Sequence, residues 1–232
     1  MNSNQTYYGS TPVGQLGAQS RGAFVSRTYS HLFSAIAAFT VLEIFLFKTG
    51  LAEGIAKVLL SGSWLLVLGG FMVVSWIARG VAHRATSKAA QYAALAGYVV
   101  GQAIIFVPLL YLADVYAPGA ITSAAAVTFL AFTGLSLVAF YTRKDFSFLR
   151  GILMWAGIIA MVLIVAGAIF GFQLGTFFSV AMVGVAGAAI LYDTSNVLHH
   201  YPEDRYVAAA LELFSSVALM LWYVLRIFIS RR

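Results

Sequence analysis

Two carboxylates carry most of the chemical potential of this sequence. Asp193 sits inside the apolar run Val180–Leu198, and Glu212 follows nineteen residues later inside VAAALELFSSVALMLWYVL. An acid in sequence of bilayer thickness is costly and marks a functional site by default. If the sixth apolar segment ends near Leu198 and the seventh begins near Tyr206, both acids lie roughly 8–9 Å from one end of their helices. The short loop HHYPEDRY makes those helices antiparallel neighbours, so the carboxyls are expected to face each other at one level. Two acids in a low-dielectric site cannot both ionise cheaply. They are expected to take up protons as one unit, joined when protonated and repelling when ionised. Ionised, they attract cations such as calcium. The alternative is that Glu212 points to the headgroups while Asp193 bonds Asn196, its neighbour at helical spacing.

Other polar residues frame this pair. Glu212, Ser215, Ser216, Tyr223 and Arg226 fall at helical spacing on one side of the last segment, and polar faces in lipid turn toward a bundle interior or a wet cavity. Glu43, in the first apolar segment, either lines an exit path or pairs with Lys48. Arg79 is a candidate counter-ion for Asp193; alternatively it snorkels to the membrane surface. The four histidines sit at segment ends without zinc spacing. Gly134-Leu-Ser136-Leu has no interior histidine to act as base, and no phosphate-binding glycine loop is present. Neither an enzyme nor a resident cofactor is expected.

The elements that must position these residues are membrane spans. The chain has 232 residues, 61% hydrophobic and 9% charged, against about 25% charged in soluble domains. Apolar blocks at about 29–49, 60–82, 89–113, 120–142, 150–170, 175–198 and 207–229 each approach the roughly 20 residues that cross a bilayer. The expected fold class is all-α, a polytopic seven-helix bundle over 29–232, because lipid leaves no water for open backbone groups. Residues 1–28 are polar, without a signal-peptide core, and are expected to form a flexible cytoplasmic tail. The net charge of +6 is read as orientation rather than nucleic-acid binding. An inside N-terminus places Arg21, Arg27, Arg79, Arg84, Lys88, Arg143, Lys144, Arg150 and Arg205 inside, against Lys48, Lys57, Arg226, Arg231 and Arg232 outside. The C-terminal cluster argues the other way and leaves a re-entrant last segment open. Gly97–Gly101 and Gly167–Gly171 are read as helix packing points, Pro108 as a bend, and the four tryptophans as interfacial anchors.

Several stretches are more specific. TRKDFSFLRG at 142–151, AAILYDTSNVLHH at 188–200 and a last span ending in WYVLRIF, with Phe24, Arg27 and Tyr29 before the first span, resemble the Bax inhibitor family, in its bacterial, YccA-like branch. The resemblance covers roughly 24–229. It implies seven spans with the last helix surrounded by the other six. It implies a pH-dependent leak of calcium or other cations across the bacterial inner membrane, gated by aspartates of the sixth and seventh spans. Asp193 matches the first aspartate; Ser216 occupies the position of the second, and Glu212 lies one turn earlier on the same face. The acid that relatives carry in the second span is replaced by LLVLGGFMVV. The resemblance also implies a different role, binding and modulating a membrane-anchored AAA protease without transport, with the N-terminal tail as a handle.

Overall fold

The computed structural model describes residues 11–231. Eight α-helices follow in order: α1 (Ala18–Lys48), α2 (Leu51–Ser61), α3 (Trp64–Arg84), α4 (Lys88–Tyr116), α5 (Ala120–Thr142), α6 (Leu149–Phe170), α7 (Gly175–His199) and α8 (Tyr206–Ser230). All but α2 are long and apolar enough to cross a membrane. The seven-span, all-helical reading is correct. We call the end where α1 begins the N-side and the other end the opposite side.

The boundaries differ from the sequence reading at two places. First, α1 starts at Ala18, ten residues inside the stretch expected to be a tail. Ahead of it, a short 3-10 turn over Val13–Gln15 docks on the α7–α8 loop. The Val13 amide donates to the Tyr201 carbonyl at 2.9 Å, Pro12 bridges Pro202, and Val13 is fully buried. A Cβ on Gly14 would stand 3.0 Å from the His199 carbonyl oxygen, tighter than an ordinary contact, so a larger residue here would push the loop back. The rest of the expected tail, residues 1–10, lies outside the described residues. Second, α2 interposes a short helix before the second span. Gly50 adopts φ 77° at its start, and its Ala52 and Ala56 bury against Leu46 and Val107 while Glu53 and Lys57 pair at 2.6 Å on the exposed side.

The last helix is central. It packs against α1, α3, α4, α5 and α7, most extensively against α7. Its buried face carries Ala208, Ala209, Leu211, Leu213 and Phe214, and Phe39, Tyr98 and Phe214 meet edge to face. Meanwhile α6 packs on α7 and builds no comparable interface with α8 or α3. One flank of α8 is therefore left uncovered.

Local features have identifiable causes. A Cβ on Gly101 would touch Val74 at 3.4 Å, so this glycine does permit close α3–α4 packing. The pair Gly167–Gly171 instead ends a helix. Gly171 is left-handed at φ 76°, and its amide closes on the Gly167 carbonyl. Among the tryptophans, Trp76 and Trp155 are exposed, but Trp76 lies near the middle of α3 rather than at its end. Trp222 is not an interfacial anchor: it packs edge-to-face on Phe106, 5.1 Å between centroids, beside the uncovered flank.

Candidate functional site

Helical periodicity brings the site together from three helices. Asp193 lies six residues before the end of α7 and Glu212 six residues after the start of α8, so both sit at one depth on the N-side. Arg79 and His83, four residues apart near the end of α3, share a face and reach the same depth. Together they line a cavity of about 620 Å³ bounded by α3, α6, α7 and α8.

The pairings are specific. Arg79 forms an ion pair with Glu212 Oε2 through Nη1, and its Nη2 donates to Ser215 Oγ at 2.5 Å. His83 Nε2 lies 3.0 Å from Glu212 Oε1, so both oxygens of this acid are held from α3. Tyr98 of α4 donates to Ser215 Oγ at 2.9 Å. Asp193 is 8% exposed and accepts a 2.5 Å hydrogen bond from Ser216. The first acid is thus tied to α8 by a hydroxyl, and the second is tied to α3 by a guanidinium.

These placements revise the sequence expectations. Arg79 is the ion-pair partner of Glu212, not of Asp193, because α3 packs on α8, which carries Glu212, and builds no comparable interface with α7. Asp193 takes its bond from Ser216 rather than from Asn196 or Glu212. Asn196 lines the cavity, and its carbonyl accepts the His200 and Tyr201 amides that turn the chain out of α7. Glu43 is buried on α1 with both oxygens unpartnered, neither paired with Lys48 nor lining this cavity. Among the described residues, no three acids or histidines converge closely enough to hold a metal ion.

The site continues toward the opposite side. Arg79, Ser215, Leu219 and Tyr223 also line a second cavity, of about 970 Å³, that extends along α8 past Trp222 to Arg226 and Ser230. All five members of the polar stripe on the last span, Glu212, Ser215, Ser216, Tyr223 and Arg226, line one or both cavities.

Sequence reading missed His83, Tyr98 and Tyr201. A signal existed for His83, its four-residue spacing from Arg79. None existed for Tyr201, which stacks between His83 and Phe24, with centroids 5.9 and 6.4 Å away. Through it the docked segment at Val13 reaches the charged site.

The two specific motifs pack on one another. In the α5–α6 loop, Asp145 Oδ1 accepts the Ser147 amide at 2.8 Å while Oδ2 meets His200 Nε2 at 3.0 Å. The Phe146 amide donates to Ser195 Oγ at 2.9 Å, and Ser195 donates on to the Lys144 carbonyl. The Ser147 amide, with His200 behind it, holds the Asp145 carboxyl below its ordinary range. Arg143 enters this loop in the left-handed region at φ 50°.

A seven-span helical membrane protein with two acids at one depth inside its bundle, each tied to a different helix, is thus defined. The chain belongs to the Bax inhibitor family: the family described as "Inhibitor of apoptosis-promoting Bax1" matches residues 21–232. It is similar to the Escherichia coli K12 protein named Modulator of FtsH protease YccA, with 30% identity over 66% of this chain and 68% of that one. It is similar to Bax inhibitor 1 of Schizosaccharomyces pombe, 28% identical over 88% of this chain and 75% of the yeast protein. An uncharacterized protein of Pseudomonas aeruginosa, PA2604, is 38% identical over 47% of this chain, an alignment spanning about half, 49%, of that relative.

Proposed function

We propose that this protein is a multi-pass inner-membrane cation leak, with the N-side cytoplasmic, whose conductance is set by protons on Asp193 and Glu212. One observation carries the reading: the cavity holding both acids shares Arg79, Ser215, Leu219 and Tyr223 as a common wall with the one that runs along α8 toward Ser230. Calcium and other cations would move along that path, and the bilayer and protons are the remaining partners. The excess of basic residues on the N-side loops supports the orientation.

In this mechanism the Arg79–Glu212–His83 cluster is the closure, because it fastens α3 to α8 at the N-side end. A proton on Glu212 removes the negative charge that holds Arg79, and α3 is free to part from α8. Asp193 remains tethered to Ser216 and supplies the acid that a passing cation meets. Calcium flux into liposomes across pH tests this. Glu212→Gln is expected to leak at every pH, and Asp193→Asn to lose flux and its pH dependence. Wild-type flux and titration in both variants would remove the acids from the mechanism.

A second reading has its own support, the likeness to a relative named as a modulator of FtsH protease. Under it the protein binds and modulates a membrane-anchored AAA protease and transports nothing, with residues preceding the docked segment as the handle. Because Val13 and α1 are packed from residue 13 onward, the informative truncation removes only residues 1–10. It is expected to change protease turnover of other membrane substrates; unchanged turnover refutes the handle.

A further inference from the structure

The larger cavity extends well beyond the charged site. Its N-side end is Arg79, Tyr98 and Ser215; its opposite end is Arg226 and Ser230. Along α8, Ser215 lies about 16 Å from Arg226 and about 22 Å from Ser230 at the helical rise, comparable to or longer than the roughly 15 Å of hydrocarbon in one leaflet. The wall between them is largely apolar, with Leu109, Ile164, Leu219 and Trp222. Its flank is open sideways, since the helices on either side, α3 and α6, build no interface with each other.

Arg226 is the anomaly. It is part-buried one turn inside the end of α8 and lines this apolar cavity. Among the described residues it has neither an ion-pair nor a hydrogen-bond partner. An unpaired cation in such surroundings is costly. Two further polar atoms facing the same cavity, Gln102 Oε1 and Ser75 Oγ, are buried without partners, and Gln102 is 6% exposed. A cavity with an apolar wall, a lateral mouth and a guanidinium at headgroup depth has the features of an amphiphile site rather than of a packing defect.

We propose that this cavity binds an anionic lipid from the surrounding bilayer. Its phosphate is held by Arg226, whose planar fork suits phosphate oxygens. One acyl chain enters between α3 and α6 and lies along Leu219 and Trp222 toward Tyr98. This does not rest on the leak reading: a chain lying here would occlude the proposed cation path, and occupancy is measured without an ion gradient, so the two readings fail separately.

Trp222 provides the readout. In a W64F/W76F/W155F variant it is the remaining tryptophan, reconstituted in phosphatidylcholine vesicles with lipid brominated on the acyl chain. Brominated phosphatidylglycerol is expected to reach half-maximal quenching at about tenfold lower content than brominated phosphatidylcholine, the preference of one charge-assisted contact. Arg226→Gln is expected to erase that difference and Arg226→Lys to keep part of it. Equal quenching by both lipids, or a difference that survives Arg226→Gln, overturns the proposal. So does a Trp222 that resists both lipids and is quenched by acrylamide, which marks a water-filled cavity.

Discussion

The two flanks of α8 are built on opposite principles. One meets α1, α4, α5 and α7 through Ala208, Ala209, Leu211, Leu213 and Phe214, all but closed to solvent. The other presents Glu212, Ser215, Ser216, Tyr223 and Arg226 to cavities that α6 leaves unfilled. A single helix thus serves as both the core of the bundle and a wall of its cavities. In lipid, helices gain little from hiding apolar surface, so packing and interhelical hydrogen bonds decide where they stay. The dense flank has the packing. The open flank is fastened near one end by an ion pair and hydroxyl bonds.

The contrast breaks first on packing. Phe214→Ala on the dense flank should cost roughly 3–5 kcal/mol of unfolding free energy, while Leu219→Ala, already facing a cavity, should cost well under half of that. Comparable losses in thermal unfolding in detergent would abolish the distinction. Arg79→Ala leaves Glu212 with His83 alone, and a loss of about 1–3 kcal/mol is expected. Adding Glu212→Gln should recover part of it, and additive losses would mean the pair does not fasten α3. Ser216→Ala strips Asp193 of its bond and should cost about 1 kcal/mol; an unchanged melting temperature would show that the hydroxyl is not needed.

The smallest effect lies outside the membrane. Asp145 is held below its ordinary range chiefly by the Ser147 amide. A depressed folded value stabilises above the unfolded value near 3.9 and is lost as pH falls through the folded one. Asp145→Asn should therefore lower stability by no more than a few tenths of a kcal/mol at neutral pH, with the gap closing below about pH 4. A gap that widens on acidification would contradict the assignment. At 46% exposure this side chain cannot contribute more.

Much of this was legible in the residues because hydropathy and helical spacing are local. Block lengths gave seven spans, and spacing gave a polar stripe on the last one that lines the cavities. Arg79 and His83 were legible only as a pair on one face, and the partner they meet was not. Gly167–Gly171 shows the same gap: the spacing suits a helix contact, and only the chain's turn at Gly171 reveals an ending.

The sequence alone determined a seven-span bundle with Asp193 and Glu212 at one depth, since length and the rise per residue fix how far a side chain sits from its helix end. Tertiary structure decided which partner each acid takes, Ser216 for Asp193 and Arg79 with His83 for Glu212. It also decided that α6 stands away from α8. The physical reason is that periodicity defines the faces of a helix, whereas which faces meet depends on how helices far apart in the chain are rotated and spaced against each other.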